Sequence, residues 1–214
     1  MSSKDRRRTL CCGVLSPPLC LIPRFQTGGF DRHFWLYMAI IFGAWFGNSA
    51  NSAFFSIFLQ EQFGFRSVSG MYALGAVAAI PVFFFSTFLI RRVGIQRMFF
   101  VSLSTIILRL LVYALIPNIW AIVVTRLFSA LTFALLHTAS VAYINLKVNK
   151  SRQALGMAIY MAVGLGLSGF LGSSVGRFIL ERTGFQTLFL LYAGPPALSF
   201  LIIFFNKEKL KLIQ

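Results

Sequence analysis

The chain has 214 residues, of which 57% are hydrophobic and 12% are charged, and its mean hydropathy is +0.78. Soluble domains are about 45–50% apolar and about 25% charged, so this composition excludes a single water-soluble core. The formal net charge is +15, but the basic residues lie in short clusters between long apolar runs, which indicates membrane topology rather than nucleic-acid binding.

Residues 1–32 are basic and precede the first long apolar run. We predict that they form a flexible cytoplasmic leader. Two alternatives are a cleaved signal peptide and a translation start that is not the biological one, although Pro17-Pro18 interrupts the short apolar stretch that a signal peptide would need. The cysteines of this segment form no CxxC pair, so we predict neither a disulfide framework nor a metal site. They are Cys11, Cys12 and Cys20.

Six stretches approach or exceed the roughly 20 apolar residues that a membrane-spanning helix needs. They are Phe34–Leu59, Ser69–Ile90, Met98–Ile116, Ile119–Ile144, Ala154–Leu180 and Leu188–Phe205. The connections are short and contain turn residues such as Gly64, Gly94 and Gly184. Strands of a β-barrel would alternate in polarity over about ten residues, and no such segment is present. We therefore predict an all-α, polytopic membrane protein, with a six-helix bundle over 33–206 and a basic cytoplasmic tail over 207–214.

The basic residues predict the orientation of these spans. Fifteen lie on one side of the predicted membrane and three, Arg66, Arg177 and Arg182, lie on or close to the other. By the positive-inside rule, both termini are cytoplasmic in a cell (inner) membrane. The fifteen are Lys4, Arg6, Arg7, Arg8, Arg24, Arg32, Arg91, Arg92, Arg97, Lys147, Lys150, Arg152, Lys207, Lys209 and Lys211.

The first span carries polar residues across its middle. Asn48, Asn51, Ser52 and Ser56 follow the spacing i, i+3, i+4, i+8 and therefore share one face of the helix. This face either forms hydrogen bonds with neighbouring helices or lines a hydrophilic cavity. The two interpretations are compatible, because in both the face avoids lipid.

Two arginines fall inside predicted spans. Arg109 lies eleven residues past Met98, which places it roughly 16 Å into the membrane. It stays protonated, so we interpret it as a clamp for an anion or hydroxyl group in a central cavity; the alternative is a structural pair with helix carbonyls or a hydroxyl. Arg126 lies seven residues past Ile119, roughly 10 Å from the outer edge. Snorkelling to the outer surface explains Arg126 at least as well as a binding role.

The fourth predicted span contains a histidine, and the fifth contains a run of glycines. His137, late in the fourth span, is a candidate proton relay or a neutral packing residue bonded to a carbonyl. In the fifth span Gly172 and Gly176 form a GxxxG motif, and Gly169 with Ser173 forms a second pair of small residues. Such pairs predict close helix packing. No strand precedes these glycines, which argues against dinucleotide binding.

No acidic residue lies in any of the six spans. The chain has five acidic residues, all of them terminal or in the predicted loops: Asp5, Asp31, Glu61, Glu181 and Glu208. Proton-driven carriers usually need an intramembrane carboxylate or histidine. The chain also lacks a metal-ligand cluster, a nucleophile with a placed base and a phosphate-binding loop. We therefore predict that it is not an enzyme and uses no cofactor.

Several motifs occur in a familiar order. Ala79–Ser86 precedes Leu89–Gly94, Leu108-Arg109 precedes Tyr113–Pro117, and Ala130–Ala134 precedes His137. Gly156, Tyr160 and the glycine run follow. From about residue 34 to 205 the sequence resembles the carboxyl-terminal six-helix half of a major facilitator superfamily transporter, most closely the lactose-permease-like and phenylpropionate-permease-like branch.

The resemblance implies a secondary carrier in which two six-helix bundles rock about a central site. Arg109 would face the cavity and Asn48 and Asn51 would line it, with Arg126 as a further substrate-binding candidate. The partner would be a second six-helix half or a second copy of this chain. A homodimer would duplicate Arg109 without a carboxylate, and its positive cavity would favour an anionic solute. The solute expected for the carrier is a small anionic or hydroxylated organic molecule.

Three departures from the branch put ordinary proton coupling and substrate binding in question. The chain has Ala79 where the branch tends to carry a glutamate, Ser129 where it tends to carry a histidine, and Arg126 where an uncharged polar residue is usual. Two further interpretations are open: a truncated or split-gene product without transport of its own, and a six-helix membrane scaffold that binds a partner protein. The basic loops of such a scaffold could hold anionic lipid.

Overall fold

The computed structural model describes residues 32–64, 68–116 and 118–205, and none of these forms a β-strand. The predicted all-helical architecture is confirmed for this part of the chain. Residues 1–31 of the predicted leader, Arg66 and the tail 207–214 lie outside the described residues. The helices are α1 (Arg32–Phe63), α2 (Val68–Val93), α3 (Ile95–Leu115), α4 (Ile119–Lys147), α5 (Gln153–Ile159), α6 (Ser168–Tyr192) and α7 (Gly194–Phe205).

Four helical stretches of the described residues are long and apolar enough to cross a membrane. They are Val68–Phe85, Ile95–Leu115, Ile119–Lys147 and Lys150–Phe205. The last contains 56 residues, more than twice the length that one crossing needs. Helix α1 is not among the four, because Asn48, Asn51 and the polar residues near its end lower its hydropathy.

Helix boundaries follow local backbone chemistry. Gly64, Gly94 and Gly184 have φ angles of 62°, 81° and 81°, in the left-handed region that favours glycine. Gly64 follows α1, Gly94 separates α2 from α3, and Gly184 kinks α6. At the start of α4, the Asn118 side chain accepts a hydrogen bond from the Trp120 backbone N–H at 3.0 Å, which caps the helix. The turns predicted at all three glycines are confirmed.

The helices pack as two connected groups, one around α1 and one around α4. Helix α1 contacts α6 and α7 along its length, while α3 packs against α4, α6 and α7, and α2 packs mainly on α4. Aromatic rings fill the core: Tyr37 stacks on Tyr143 at 3.9 Å, and Phe58 meets Phe189 edge-on at 5.2 Å. The element with the most polar centre is therefore packed mainly against α6 and α7.

Two glycines of α6 allow α1 to approach closely. A Cβ atom at Gly172 would overlap the Ser49 side chain, and one at Gly176 would overlap the ring of Phe54. The Tyr192 hydroxyl donates a hydrogen bond to the Gly172 carbonyl and ties the end of α6 to the same place. A Cβ at Gly169 would meet nothing within 4 Å, so this glycine does not take part in the close contact.

The predicted fifth span is less regular than expected. A short 3₁₀ turn over Lys150–Arg152 leads into α5, and a π-helical segment over Tyr160–Leu167 joins α5 to α6. Its Gly164 lies against α1, because a Cβ there would be 3.0 Å from Ile41 Cγ2. Single-turn π-helical insertions are rare and frequently lie at functional sites.

The glycine contacts lead to a first prediction. Gly172→Ala should lower the thermal unfolding midpoint of the detergent-purified protein, because the added methyl group forces α1 and α6 apart; overpacking of this kind costs about 1–3 kcal/mol. Gly169→Ala, in the same helix with open space around its Cα, is the matched control and should leave the midpoint unchanged or slightly higher. Equal midpoints for the two variants would contradict the assigned packing.

Candidate functional site

Arg109 lies on the buried face of α3, with 3% of its surface exposed. Its Nη1 donates to Thr132 Oγ1 on α4 at 3.5 Å, a long hydrogen bond. The Ser102 hydroxyl donates to the Thr132 backbone carbonyl at 3.1 Å, so Thr132 joins α4 to α3 twice. Arg109 Nε has no hydrogen-bond partner. A structural pair with the Thr132 hydroxyl thus accounts for Nη1 of Arg109 and leaves Nε without a hydrogen-bond partner.

Arg126 is enclosed by aromatic side chains. Its guanidinium carbon lies 3.7 Å from the ring centre of Phe55 on α1 and 4.6 Å from that of Tyr72 on α2. Only 4% of the residue is exposed, and its Nε and Nη2 have no hydrogen-bond partner. Snorkelling to the outer surface does not describe this side chain. Position along a helix does not reveal rotation about its axis, and here the rotation turns Arg126 inward.

The two arginines belong to one cluster. Their positive charges lie close enough to repel each other, and Tyr113 also lies within electrostatic range of Arg126. Tyr113 follows Arg109 by one turn on the same face of α3, and its buried hydroxyl has no hydrogen-bond partner. Its ring lies 5.6 Å from that of Phe55. We call Arg109, Tyr113 and Arg126 the arginine cluster.

The described part of the chain offers this cluster no counter-charge. Glu61 and Glu181 are its acidic residues, and both are exposed. Glu181 is engaged by Arg177 Nε at 3.0 Å. Neither Arg109 nor Arg126 forms an ion pair with a described carboxylate. The cluster therefore combines two buried positive charges with several unpaired hydrogen-bond donors.

The asparagines of α1 lie beside the cluster rather than in it. Asn51 is buried and its Oδ1 has no hydrogen-bond partner, whereas Asn48 is half-buried. Phe55, whose ring lies against the Arg126 guanidinium, is one turn beyond Asn51 on the same face of α1. The polar face predicted from spacing is partly accessible, since Ser52 is exposed and donates to the Asn48 carbonyl at 3.4 Å.

His137 occupies a separate position on α4. Its Nδ1 lies 2.9 Å from the hydroxyl of Tyr160, the first residue of the π-helical segment. Its ring stacks on Phe133 at 5.8 Å. The partner is thus a hydroxyl group rather than the carbonyl that we considered. His137 follows Arg126 by eleven residues, a separation of roughly 16 Å along the helix, so the two groups do not form one site.

Sequence reasoning missed the aromatic and hydroxyl members of the site. Tyr113 could have been found from its one-turn spacing from Arg109. Thr132 and Tyr72 had no signal of their own, because their roles depend on how helices pack. A cleft of about 440 Å³ between α3 and α7 contains none of the predicted site residues. It is lined by Phe100, Val101, Ser104, Thr105, Phe200 and Phe204.

Long apolar helices, with charged side chains buried where several of them meet, define a multi-pass helical membrane protein. Residues 30–191 match the MFS_1 like family, and the chain belongs to that family. The family match bears out the major facilitator resemblance; the particular branch remains a prediction.

Three curated relatives are similar to the chain. It is 23% identical over 163 residues to the "Uncharacterized transporter YwbF" of Bacillus subtilis (strain 168), covering 76% of this chain and 41% of the relative. It is 25% identical to the sucrose permease of Escherichia coli, and the match covers 86% of this chain and 46% of that relative. It is 25% identical to the maltose permease of Geobacillus stearothermophilus, and the match covers 67% of this chain and 37% of that relative. The chain thus spans less than half the length of each relative. No solved structure matches it.

The enclosure of Arg126 leads to a second prediction. In a double-mutant cycle on unfolding free energy, Phe55→Leu and Arg126→Gln should show a coupling of about 2 kcal/mol, because a cation–π contact is strongest where water is excluded. The matched control is Phe178→Leu with Arg182→Gln, an arginine 4.0 Å from an exposed ring. That pair should couple by about 0.5–1 kcal/mol. A weaker coupling at Phe55 than at Phe178 would contradict the assigned contact.

Proposed function

We propose that the chain forms one six-helix half of a major-facilitator-type secondary carrier and takes part in alternating-access transport of a small solute. The family membership and the transporter and permease names of its relatives support this function. In the proposal α1 to α4 provide four spans. The long apolar stretch after Lys150 provides two more, divided at the kink of Gly184. Both termini are cytoplasmic, as the charge distribution predicts.

The second half of the carrier covers polar groups that α1 and α4 leave accessible. Ser52 is exposed, and Asn48 and His137 are half-buried, although all three lie well inside their helices. Polar side chains at membrane depth face protein or water rather than lipid, because hydrocarbon offers them no hydrogen bonds. A second six-helix half, or a second copy of the chain, would provide that environment.

The observation that supports the proposed substrate class is the arginine cluster, which holds two positive charges without a described counter-charge and four buried polar atoms without a hydrogen-bond partner. Such a cluster favours a solute with anionic or oxygen-rich groups. In the proposal Arg109 and Arg126 bind these groups and the amides of Asn48 and Asn51 line the path. Sucrose and maltose, the sugars in the names of two relatives, are hydroxylated solutes of this kind. His137, with Tyr160, is the candidate for proton exchange.

A third prediction tests the proposal by uptake into cells. The chain is produced alone and together with an amino-terminal six-helix half of the same family, and uptake of labelled sucrose, maltose and gluconate is measured. Arg109→Gln should reduce uptake about 10- to 100-fold, the value of a lost charged hydrogen bond. Arg97→Gln, which removes an exposed arginine at the start of α3, is the control and should retain uptake.

The outcomes separate the interpretations. Sugar uptake without gluconate uptake assigns the hydroxylated class, and the reverse assigns the anionic class. Undiminished uptake by Arg109→Gln would remove Arg109 from the mechanism. No uptake in either combination, by protein shown to be inserted in the membrane, would favour the truncated-product or scaffold interpretation.

A further inference from the structure

We infer that the arginine cluster binds a small anion of the halide or carboxylate type between α3 and α4. The inference rests on the charge and hydrogen bonding of Arg109, Tyr113 and Arg126 and does not require that the chain transports anything. It narrows the ligand class of the cluster that the proposed function uses for the solute, and its test measures stability instead of uptake, so that failure of one can be told from failure of the other.

The first step is the cost of the buried charges. Arg109 and Arg126 are 3% and 4% exposed, and an arginine side chain does not lose its proton in a protein. A charged group taken out of water without a counter-charge is strongly destabilising. Here the cost is increased by repulsion between the two like charges. A bound anion would offset both the desolvation and the repulsion.

The second step is that side chains relieve only part of this cost. Phe55 and Tyr72 lie against the Arg126 cation, and the Tyr72 hydroxyl also favours its charged form, but Nε and Nη2 have no acceptor. Thr132 provides Arg109 with one acceptor, at the long distance of 3.5 Å. The acidic residues within the described ranges, Glu61 and Glu181, are both exposed, and Glu181 pairs with Arg177; neither forms an ion pair with the cluster.

The third step is the set of free donors. Arg109 Nε, Arg126 Nε and Nη2, and the Tyr113 hydroxyl are all buried without a hydrogen-bond partner. They come from two adjacent helices and belong to side chains that interact electrostatically or share one helix face. Charge-assisted N–H bonds to an anion are about twice as strong as neutral ones. One small anion is a ligand that would accept several of these donors at once.

The burial of the cluster favours a ligand with a single negative charge. The cost of removing an ion from water rises steeply with its charge, so a divalent oxyanion pays more than a monovalent ion to enter a buried site. Chloride and the carboxylate group combine a single negative charge with compact acceptor geometry. Both sources share the same chemistry, so the experiment compares them directly.

The fourth prediction concerns anion-dependent stability of the purified full chain in detergent. The unfolding midpoint is measured in sodium chloride, in sodium formate and in the sodium salt of a bulky sulfonate, at matched ionic strength. Chloride or formate should raise the midpoint saturably, by about 3 °C at ten times the dissociation constant. The sulfonate should not. A response to chloride assigns a free halide, and a response to formate alone assigns the carboxylate of an organic solute.

Three variants locate the response. Tyr113→Phe keeps the ring that packs on Phe55 and removes only the hydroxyl, so it should weaken anion affinity about tenfold. Arg126→Gln should abolish the response. Arg182→Gln removes an arginine that stacks on an exposed ring, Phe178, and should retain the full response.

The inference is overturned if the midpoint is the same in all three salts. It is equally overturned if Tyr113→Phe responds as the parent protein does, or if a folded Arg126→Gln protein keeps the response. Should Arg126→Gln fail to fold, the Tyr113→Phe comparison decides. Because the readout is stability, loss of uptake with an intact anion response would contradict the proposed function and leave the anion site standing.

Discussion

The rest of the structure depends on the cost of holding two guanidinium groups in a low-dielectric interior. A charge that cannot be neutralised by deprotonation must be surrounded by groups that stabilise it. The sequence therefore places Phe55 and Tyr72 against Arg126, and Thr132 beside Arg109. These three partners come from three different helices, so the same two charges bring α1, α2, α3 and α4 to one place. This requirement also explains why α1 combines aromatic and polar residues instead of a uniformly apolar run.

Close packing on the other side of α1 makes this arrangement possible. Gly172 and Gly176 let α6 approach Ser49 and Phe54 without side chains between them, and Tyr192 bonds to the Gly172 carbonyl. In a membrane, where lipid is as apolar as a helix surface, such contacts and hydrogen bonds drive helix association instead of hydrophobic burial. A helix with a polar centre can thus be held in the bundle although its mean hydropathy alone does not mark it as a span.

The helices were predictable from sequence because long apolar runs and glycine turns act locally, as Gly94 and Gly184 illustrate. Arg109 was recognisable because a charge at membrane depth is rare. The aromatic partners were not, because Phe55 is one of 25 phenylalanines and only packing distinguishes it from the others. The inward rotation of Arg126 was missed for the same reason. The π-helical segment was also missed, since eight apolar and glycine residues read the same whether their backbone bonds are α- or π-helical.

Helix α4 links the two polar groups of the bundle. It contains Arg126, Thr132 and His137, and a regular helix keeps such residues at fixed separations. Arg109 of α3 donates a hydrogen bond to Thr132 of this helix, and Tyr160 of the π-helical segment is hydrogen-bonded to His137. π-helical segments are rare and frequently lie at functional sites, and here the first residue of the segment, Tyr160, is the partner of His137. The arginine cluster has no member in the π-helical segment, whereas the His137–Tyr160 bond joins that segment to α4. Helix α4 therefore belongs to both polar groups, and only one of them depends on the irregular backbone.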